Sequence, residues 1–368
     1  MSPSAGRQSF RVVQLVESLR VGGLETMAVN LAIAHRKAGH FSSIYTLFAP
    51  GELAEQAQTA GIPVIPFYKE KGFSLDIILR IARRLREDGA QILHTHNSMI
   101  HHYGVLAGRM AGVRAIVNTR HGLAFHSGWR QKVYYRVAMP LTDAVVFVCR
   151  DGQRFAAEKR TVSARKGSVI MNGIPVQQFQ GFRASPGSAR PLIRFGTVGR
   201  LVKAKAHTDL IAAFSLVAAE TADAELHIWG DGELRSAVLE EIAKRGLQDR
   251  VLYHGMTQDP ATALKSIDVF VLSSISEGLP LVILEAMMVG LPIVSTRIGG
   301  VPEVAPEDTV ALYSPPGDPR SLALSMRRAM DTDLAAMGAA AHRWAEDHFS
   351  IESMQEQYQQ LFLRLLQR

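Results

Sequence analysis

The chain has 368 residues, of which 47% are hydrophobic, 20% charged and 7% aromatic, a balance typical of a globular protein with two domains. This composition excludes a disordered tail, a fibrous repeat and a small disulfide-stapled scaffold. The single cysteine, Cys149, excludes an intrachain disulfide and favours a reducing, cytoplasmic setting. The net charge of +7 is uneven: residues 1–180 carry +12 and residues 181–368 carry −5, which indicates two domains with different duties.

Strand-like and helix-like segments alternate along the first half of the chain. Short apolar runs predict strands at Arg11–Glu17, Ser43–Leu47, Ile62–Pro66, Gln91–His94, Ala115–Asn118, Ala144–Cys149 and Ser168–Met171. Helical periodicity predicts helices at Glu25–Lys37, Leu75–Asp88 and Met99–Met110. Alternation of this kind is typical of βαβ units built around a parallel sheet.

A second alternating set follows a polar stretch, Pro175–Pro191, that is rich in Gly, Ser and Pro. It predicts strands at Arg194–Val198, Glu225–Trp229, Val251–His254, Val269–Leu272 and Pro292–Ser295. It predicts helices at Ala206–Ala219, Glu233–Arg245 and Leu281–Val289, and a helical tail from Asp318 that ends in the amphipathic segment Ile351–Leu366.

These elements predict an α/β fold class with two doubly wound, Rossmann-like domains that face each other across a cleft. The predicted domains are residues 1–180 and 181–350, and a final helix, 351–368, returns to the first domain. In doubly wound sheets, ligands bind beyond the carboxyl ends of the strands. We therefore expect the functional residues in the loops that follow the predicted strands.

No segment has the pattern of a targeting sequence or a membrane helix. Residues 1–8 are polar, and the longest apolar stretch, Gly278–Val294, carries Glu285 at its middle and a proline near each end. We interpret this stretch as a buried helix followed by a buried strand. The expected location is the cytoplasm, with at most peripheral contact with a membrane.

Two glutamates eight residues apart form the sharpest chemical feature. Glu277 precedes a predicted helix whose first turn contains Pro280, and Glu285 lies inside that helix. The spacing places the two carboxylates on the order of 10 Å apart, too far for a glycosidase pair and suited to two ends of one polyhydroxylated ligand. The amides of Gly278 and Leu279 lie at the helix N-terminus, where phosphate binds well. The alternative is that Glu285 is a buried, paired carboxylate.

Cations follow the first strand of the second half, in the run from Gly199 to Lys205. Arg200 offers a planar fork and Lys205 a point charge, and both suit a pyrophosphate. A plain solvated loop is the alternative, but a position at the carboxyl end of a strand favours a ligand site.

Two features of the first half occupy similar positions. Gly22 and Gly23 follow the first strand and allow close backbone approach to a ligand, although the spacing is not that of a dinucleotide-binding loop. His121 follows the strand Ala115–Asn118 and could hydrogen-bond a sugar or move a proton. A bare turn and a structural histidine are the respective alternatives.

We expect no metal. Asp331 and Asp333 form an Asp-x-Asp pattern, but they lie between C-terminal helices, which favours a helix cap or a solvated loop. Four histidines could form a zinc site by composition, but no carboxylates accompany them and a polar lining of a cleft is the preferred interpretation. These are His94, His96, His101 and His102.

Taken together, the motifs resemble glycosyltransferase family 4, whose fold is called GT-B. The residues that carry the resemblance are Gly22-Gly23, His121, Gly199-Arg200 with Lys205, Glu277 with Glu285, the Val169–Phe179 link and the Ile298–Glu303 turn. The resemblance spans nearly the whole chain and is most specific in the second half. One departure is Ala206, where the family usually has glycine, so extra bulk could crowd the phosphate loop.

The resemblance implies a retaining transfer of a sugar from a nucleotide donor. Arg200 and Lys205 would hold the diphosphate, Glu285 the ribose hydroxyls and Glu277 the donor sugar. Other donor contacts implied by the resemblance are the backbone at Gly278, Leu279, Pro280 and Leu281, with Gly22, Gly23 and Gly199 near the diphosphate. His121 would touch the donor sugar, and a leaving phosphate oxygen would take the acceptor proton on the same face.

The base and the acceptor are not specified by these residues. The candidates for base recognition are Gly230, Asp231, His254, Gly255 and Met256. A glycan or lipid-linked acceptor used in surface polysaccharide synthesis fits the family pattern. Neither a metal nor another cofactor is expected, and the scattered basic residues without a known motif argue against a nucleic-acid partner.

Two further possibilities remain open at this stage. The segment Trp129–Arg136 interleaves aromatic and basic residues, which favours an interfacial helix on an anionic membrane, with inward packing of the aromatics as the alternative. A nucleotide-sugar epimerase of the same fold, or a non-catalytic nucleotide-sugar-binding protein, is the alternative to a transferase.

Overall fold

The computed structural model describes residues 9–122, 136–179, 192–257 and 259–368. The chain divides into two compact units. The first contains residues 1–173 and 351–368, and the second contains residues 174–350. Trp129 to Tyr135, which form most of the predicted interfacial helix, lie outside the described residues.

The first unit is built from parallel strands and the helices that connect them. Its strands are β1 (Arg11–Val16), β2 (Phe41–Thr46), β3 (Val64–Pro66), β4 (Ile92–His96), β5 (Ala115–Arg120), β6 (Ala144–Phe147) and β7 (Gly167–Val169). Its helices are α1 (Gly23–Lys37), α2 (Leu53–Thr59), α3 (Leu75–Glu87), α4 (Ser98–Ala111) and α5 (Arg150–Glu158), and the last helix of the chain, Ile351–Leu366, also belongs to it and packs against α1.

The strand order of this sheet is that of a doubly wound fold. Over the described residues the order is β3-β2-β1-β4-β5-β6-β7, and all neighbouring pairs are parallel. The direction of winding reverses between β1 and β4, and in such sheets the crevice at this reversal, the switch point, is where ligands bind. The loops that follow β1, β4 and β5 therefore meet at one edge of the sheet.

The second unit repeats this architecture. Its strands are β8 (Ile193–Val198), β9 (Ala224–Trp229), β10 (Val251–Gly255), β11 (Val269–Leu272), β12 (Ile293–Thr296) and β13 (Ala311–Ser314). Its helices are α6 (His207–Ala218), α7 (Arg235–Lys244), α8 (Pro260–Lys265), α9 (Leu281–Met288), α10 (Val301–Val304), α11 (Pro319–Met330) and α12 (Leu334–His348), so the helix Ile351–Leu366 is α13. Short 3₁₀ turns lie at Val176–Phe179 and Lys203–Lys205.

The order of the second sheet is β10-β9-β8-β11-β12-β13, with parallel pairing throughout the described residues. Its switch point lies between β8 and β11. The apolar strands β11 and β12 are buried on both faces, as expected for a parallel sheet covered by helices. The predicted α/β fold with two Rossmann-like sheets is confirmed.

Two details differ from the sequence prediction. The helix α9 begins at Leu281, and Pro280 is its N-cap residue, whereas the sequence predicted that Pro280 lies inside the first turn. Strand β4 continues to His96, two residues beyond its predicted end. The prediction stopped short because the buried His94 and His96 interrupt the apolar run by which a buried strand is recognised.

Asp333 caps α12 by accepting a hydrogen bond from the amide of Ala336, as expected for a cap.

No helix within the described ranges is both long and apolar enough to span a lipid bilayer. The stretch Gly278–Val294 forms helix α9 and the start of β12, which confirms its interpretation as buried structure.

Buried histidines are unusually concentrated in the first unit. Burial lowers the pKa of His35, His101 and His121 to about 3, and it lowers the pKa of His94 and His96 well below the ordinary value. These rings are therefore neutral at pH 7. Hydrogen bonds hold several of them in place; His101, for example, lies 2.8 Å from Thr95 and 2.7 Å from Thr142.

We expect this histidine content to make the protein acid-labile. In the unfolded chain these histidines bind protons below about pH 6.5, whereas in the folded protein they stay neutral down to about pH 3. The free energy of unfolding is therefore highest above pH 6.5 and decreases as the pH falls toward 3. Each histidine contributes up to about 1.4 kcal/mol per pH unit, so urea unfolding should show a loss of several kcal/mol between pH 7 and pH 5.5. His101→Gln should flatten this dependence, and equal stability at both pH values would contradict the neutral, buried state.

Candidate active site

The loop that follows β8 carries the predicted phosphate-binding residues. Gly199 and Arg200 come directly after the strand, and Lys205 ends the 3₁₀ turn that leads into α6. The side chain of Lys205 passes close to Gly199, where an added Cβ would lie 3.6 Å from Lys205 Cε. The guanidinium of Arg200 is exposed and makes no ion pair with the described residues. This loop presents two cations at the switch point of the sheet.

An ion pair joins the two sides of this switch point. Nζ of Lys205, after β8, lies 2.6 Å from Oε1 of Glu277, after β11, and both side chains are mostly buried. Ser274 donates a hydrogen bond of 2.8 Å to the same carboxylate oxygen. The hydroxyl of Ser273 donates to the carbonyl of Lys205, and the amide of Ile275 donates to Ala204. These bonds fix the positions of the cation and the carboxylate relative to each other.

The turn before α9 is shaped by glycines. Gly278 and Leu279 are buried, and the carbonyl of Gly278 accepts a hydrogen bond of 2.7 Å from the amide of Gly300. Gly299 has a φ of +52°, and a Cβ there would lie 2.3 Å from the carbonyl oxygen of Glu277. The turn beginning at Ile298 thus supports the segment from Glu277 to Leu281, whose amides precede or begin the helix and carry its positive dipole end.

Glu285 is the isolated acid of the site. It lies in the second turn of α9, between apolar residues, and burial raises its pKa to about 7. Among the residues described, no hydrogen bond or ion pair reaches its carboxylate. The alternative of a paired, structural Glu285 finds no partner in the described chain. The side chain is half-buried and has no partner among the described residues, so a ligand that donates hydrogen bonds would satisfy its carboxylate.

The residues proposed for base recognition lie beside the cation loop. The amide of Gly230 donates to the carbonyl of Gly255 at 2.7 Å, and the carbonyl of Asp231 accepts from Leu201 at 2.9 Å. Gly230 has a φ of +143°, and a Cβ there would lie 1.9 Å from the carbonyl oxygen of Gly199, so only glycine fits. His254, within β10, and Met256, directly after it, are both exposed.

An aromatic stack accompanies these loops and was not anticipated. The ring of His254 lies parallel to Trp229 at 4.4 Å, and it shares a 3.0 Å hydrogen bond with His227. Burial lowers the pKa of both histidines. His227 and Trp229 lie on β9 and His254 lies on the neighbouring strand β10. Residues 227 and 229 are two apart, so their side chains point to the same face of the strand. This spacing of two residues is the sequence signal that would have indicated a shared face.

The first unit places its predicted residues at its own switch point. Gly22 caps α1 at the end of the loop that follows β1, in an extended conformation that any residue can adopt. His121 follows β5, and its Nε2 lies 3.0 Å from Nδ1 of His96 at the end of β4. The low pKa of His121 makes it a hydrogen-bonding group and a weak general base at neutral pH. Sequence reasoning missed its partner because the contact depends on the strand order.

The described part of the chain contains no group of three or more His, Cys, Asp or Glu side chains that could hold a metal ion. Three of the histidines considered for zinc are engaged in hydrogen bonds with neighbouring side chains. These are His94 with Thr119, His96 with Gln14 and His101 with Thr95.

Ala206 adopts the conformation that explains why glycine suits this position. Its φ of +48° lies in the left-handed region, and it is buried at the start of α6. A residue with a Cβ pays about 1–2 kcal/mol there, whereas glycine loses only its greater freedom in the unfolded chain.

We therefore expect Ala206→Gly to raise the free energy of unfolding by about 0.5–1 kcal/mol, measured by urea unfolding. The matched control is Ala212→Gly inside the same helix, which should lower stability by about 1 kcal/mol because its backbone is ordinary helix. A destabilised Ala206→Gly would contradict the strained conformation.

Two family models match the chain, one to each half. Residues 21–178 match the Glycosyltransferase Family 4 model, and residues 193–332 match the model described as Glycosyl transferases group 1. The second match contains Arg200, Lys205, Glu277 and Glu285, so the site just described lies within it.

Known proteins similar to the chain include two sugar transferases. UDP-Gal:alpha-D-GlcNAc-diphosphoundecaprenol alpha-1,3-galactosyltransferase of Escherichia coli is 31% identical over 61% of this chain, and the match spans 62% of that enzyme, less than two thirds of its length. A component of the phosphatidylinositol N-acetylglucosaminyltransferase of Arabidopsis thaliana is 26% identical over 84% of this chain and 71% of that component.

Solved structures show the same fold. HepE of Anabaena, in a complex with UDP and glucose, superposes with a TM-score of 0.84 at 20% identity, over 96% of this chain and 99% of that one. A glycosyltransferase of Rickettsia africae superposes with a TM-score of 0.82 at 20% identity, over 98% of this chain and 100% of that one.

The fold and both family matches define a glycosyltransferase with the GT-B fold. The chain belongs to glycosyltransferase family 4. The predictions of the family and the fold are confirmed.

Proposed function

We propose that the protein is a retaining glycosyltransferase that moves a sugar from a UDP-sugar to a lipid-linked or saccharide acceptor. The observation that carries the proposal is the ion pair between Lys205 and Glu277 across the switch point of the second sheet. Doubly wound sheets bind their ligands at this position, and here it combines a cation, a carboxylate and a helix N-terminus.

The cations suit the leaving group of such a reaction. As the bond from the sugar to the diphosphate breaks, negative charge builds on the phosphate oxygens. The ammonium of Lys205 and the amides of Gly278, Leu279 and Leu281 would stabilise that charge without reorganising, because the surrounding structure already positions them. The exposed guanidinium of Arg200 would add a second positive charge at the same loop. The chain's own groups supply this stabilisation without a metal, and metal independence is part of the proposal.

The two carboxylates suit the hydroxyl groups of the donor. Glu285, which has no partner among the described residues, would accept hydrogen bonds from the ribose. Glu277, oriented by Ser274 and Lys205, would accept from the transferred sugar. Gly230, Asp231, His254, Gly255 and Met256 stay predictions for the base, and Gly22, Gly23 and His121 stay predictions for further contacts with the substrates.

The names of similar proteins support the choice of donor and acceptor. The E. coli relative is named for UDP-Gal and a diphosphoundecaprenol acceptor, and the HepE structure contains UDP and glucose. Both relatives are named as transferases, which does not favour an epimerase or a non-catalytic binding protein. A role in the synthesis of surface polysaccharide follows as part of the proposal.

The test is incubation of the protein with labelled UDP-sugars and GDP-sugars and a membrane extract that contains lipid-linked acceptors. We expect release of free UDP together with a new glycoside whose anomeric configuration is that of the donor. Epimerised nucleotide-sugar without a glycoside, or binding of the donor without turnover, would contradict the proposal. An inverted configuration would contradict its retaining mechanism.

We further propose that the first unit contacts an anionic membrane through its α3 surface, defined as the exposed face formed by Phe73, Leu75 and Leu79. These side chains are 63%, 58% and 48% exposed. On the same exposed side of the helix, Arg80 lies 3.7 Å from Asp76 and Arg83 lies 2.8 Å from Glu87. The exposed apolar side chains are the main feature that suits the lipid headgroup region, and the net positive charge of residues 1–180 would add attraction to anionic lipid.

Flotation with vesicles that contain anionic lipid tests this surface. The wild-type protein should float with anionic vesicles, and Leu75→Glu with Leu79→Glu should reduce the bound fraction several-fold. The matched control is Leu324→Glu, at a leucine of α11 in the second unit that is 60% exposed, which should bind as the wild type does. Equal flotation of the wild type and the α3 variant would show that this surface does not contact the membrane.

A further inference from the structure

A chain of three polar side chains crosses the switch point of the first unit. Gln14 lies on β1, His96 at the end of β4 and His121 after β5. Nε2 of His96 lies 2.7 Å from Oε1 of Gln14, and Nδ1 of His96 lies 3.0 Å from Nε2 of His121. Gln14 and His96 are buried from solvent, so water does not compete for these bonds.

The donors and acceptors in this chain follow from its chemistry. Burial lowers the pKa of His121 to about 3 and that of His96 well below the ordinary value, so each ring carries one proton at pH 7. An amide oxygen only accepts, so His96 donates from Nε2 to Gln14 and keeps Nδ1 as an acceptor. His121 must then donate from its Nε2.

We propose that Gln14 and His96 are positioning residues that hold His121 in the tautomer protonated at Nε2, so that its Nδ1 accepts a hydrogen bond from a substrate hydroxyl. Only the identity of that hydroxyl, as part of a sugar substrate, rests on the proposed function.

The packing around His96 supports a fixed ring. His94 packs against it with a centroid distance of 4.3 Å, and the rings of His96 and His121 are 5.3 Å apart. No hydrogen bond from the described residues reaches Nδ1 of His121. This nitrogen is thus available to a ligand, and its weak basicity suits it to orient a hydroxyl group. In metal sites, the second hydrogen bond of a histidine fixes the tautomer in the same way.

The test is ¹⁵N spectroscopy of the histidine rings in the full-length protein, with His121 assigned by the signal lost in His121→Asn. The wild type should show His121 protonated at Nε2 and unprotonated at Nδ1. Gln14→Leu removes the acceptor that orders His96, so a signal of His121 protonated at Nδ1 should appear. A wild-type His121 protonated at Nδ1, or an unchanged tautomer in Gln14→Leu, would overturn the proposal.

Tyr358→Phe is the matched control. The hydroxyl of Tyr358 lies 2.9 Å from Oγ1 of Thr119, which also bonds His94, so the variant removes a buried hydrogen bond nearby and leaves the Gln14–His96–His121 chain intact. We expect the wild-type tautomer in this variant. If Gln14→Leu fails to fold, the tautomer of the wild type still decides the proposal.

Kinetics separate the positioning role from general stability. Gln14→Leu should lower kcat/KM for transfer by about tenfold and Tyr358→Phe by less than about twofold, as expected for one misdirected neutral hydrogen bond. Equal values for Gln14→Leu and the wild type would overturn the positioning role. The spectroscopic measurement needs no substrate, so a failure of the tautomer and a failure of the proposed transferase reaction are separate results.

Discussion

Lys205→Ala is expected to lower kcat for sugar transfer by about 10²–10³, the effect of removing one preorganised group that stabilises charge on a leaving group. The ammonium of Lys205 lies in a fixed position beside Glu277, and the loss of the cation also removes the ion pair that orients that carboxylate. Steady-state kinetics with a UDP-sugar donor would measure the change.

Lys203→Ala is the matched control for this variant. Lys203 lies in the same 3₁₀ turn, two residues away, but it is exposed and makes no ion pair with the described residues. We expect wild-type turnover for Lys203→Ala. Wild-type turnover for Lys205→Ala, or an equal loss in both variants, would contradict a specific role for Lys205 at the leaving group.

Glu285→Gln is expected to weaken donor binding by about 10²-fold and, at pH 8, to stabilise the free protein. A carboxylate that accepts two ribose hydrogen bonds contributes about 3 kcal/mol to binding, most of which a neutral amide does not replace. In the free protein the same carboxyl is half-buried without a partner among the described residues, and its partial removal from water raises its pKa to about 7.

The pH dependence follows from that raised pKa. A carboxyl whose folded pKa lies above its unfolded value of 4.5 contributes stability that is complete below pH 4.5 and is lost as the pH rises through 7. At pH 8 the ionised, unpaired Glu285 therefore costs about 1–3 kcal/mol, which Glu285→Gln removes. Donor binding by the wild type should strengthen as the pH rises through 7, because the ionised form is the better acceptor.

Calorimetric titration with UDP and urea unfolding measure the two effects of Glu285→Gln. The exposed Glu240→Gln in α7 is the control and should change neither. A variant that lost stability and kept its affinity would show that Glu285 is structural.

Sequence patterns predicted most strands because β1, β8, β11 and β12 are apolar runs buried inside parallel sheets. Strand β13, Ala311–Ser314, was not predicted, since four residues carry too little periodicity. The N-terminus of α9 was predicted at Leu281, where the structure has it, because Pro280 marks a helix start.

The site was predicted as separate motifs, and the contacts between them were not. Lys205 and Glu277 are far apart in sequence and meet only because β8 and β11 are neighbours, which the order of elements along the chain does not state. The same reason hid the bond from Gln14 to His96, across β1 and β4. Ala206 was noted as a departure from the family, but its left-handed backbone is visible only in the structure.

The central claim is that the second unit holds the diphosphate of a nucleotide-sugar with Arg200 and Lys205 and its sugars with Glu277 and Glu285. A crystal structure of the protein with a bound UDP-sugar tests it most directly. We expect phosphate oxygens within hydrogen-bond distance of both cations and the ribose hydroxyls on Glu285. A nucleotide bound away from these four side chains would contradict the claim.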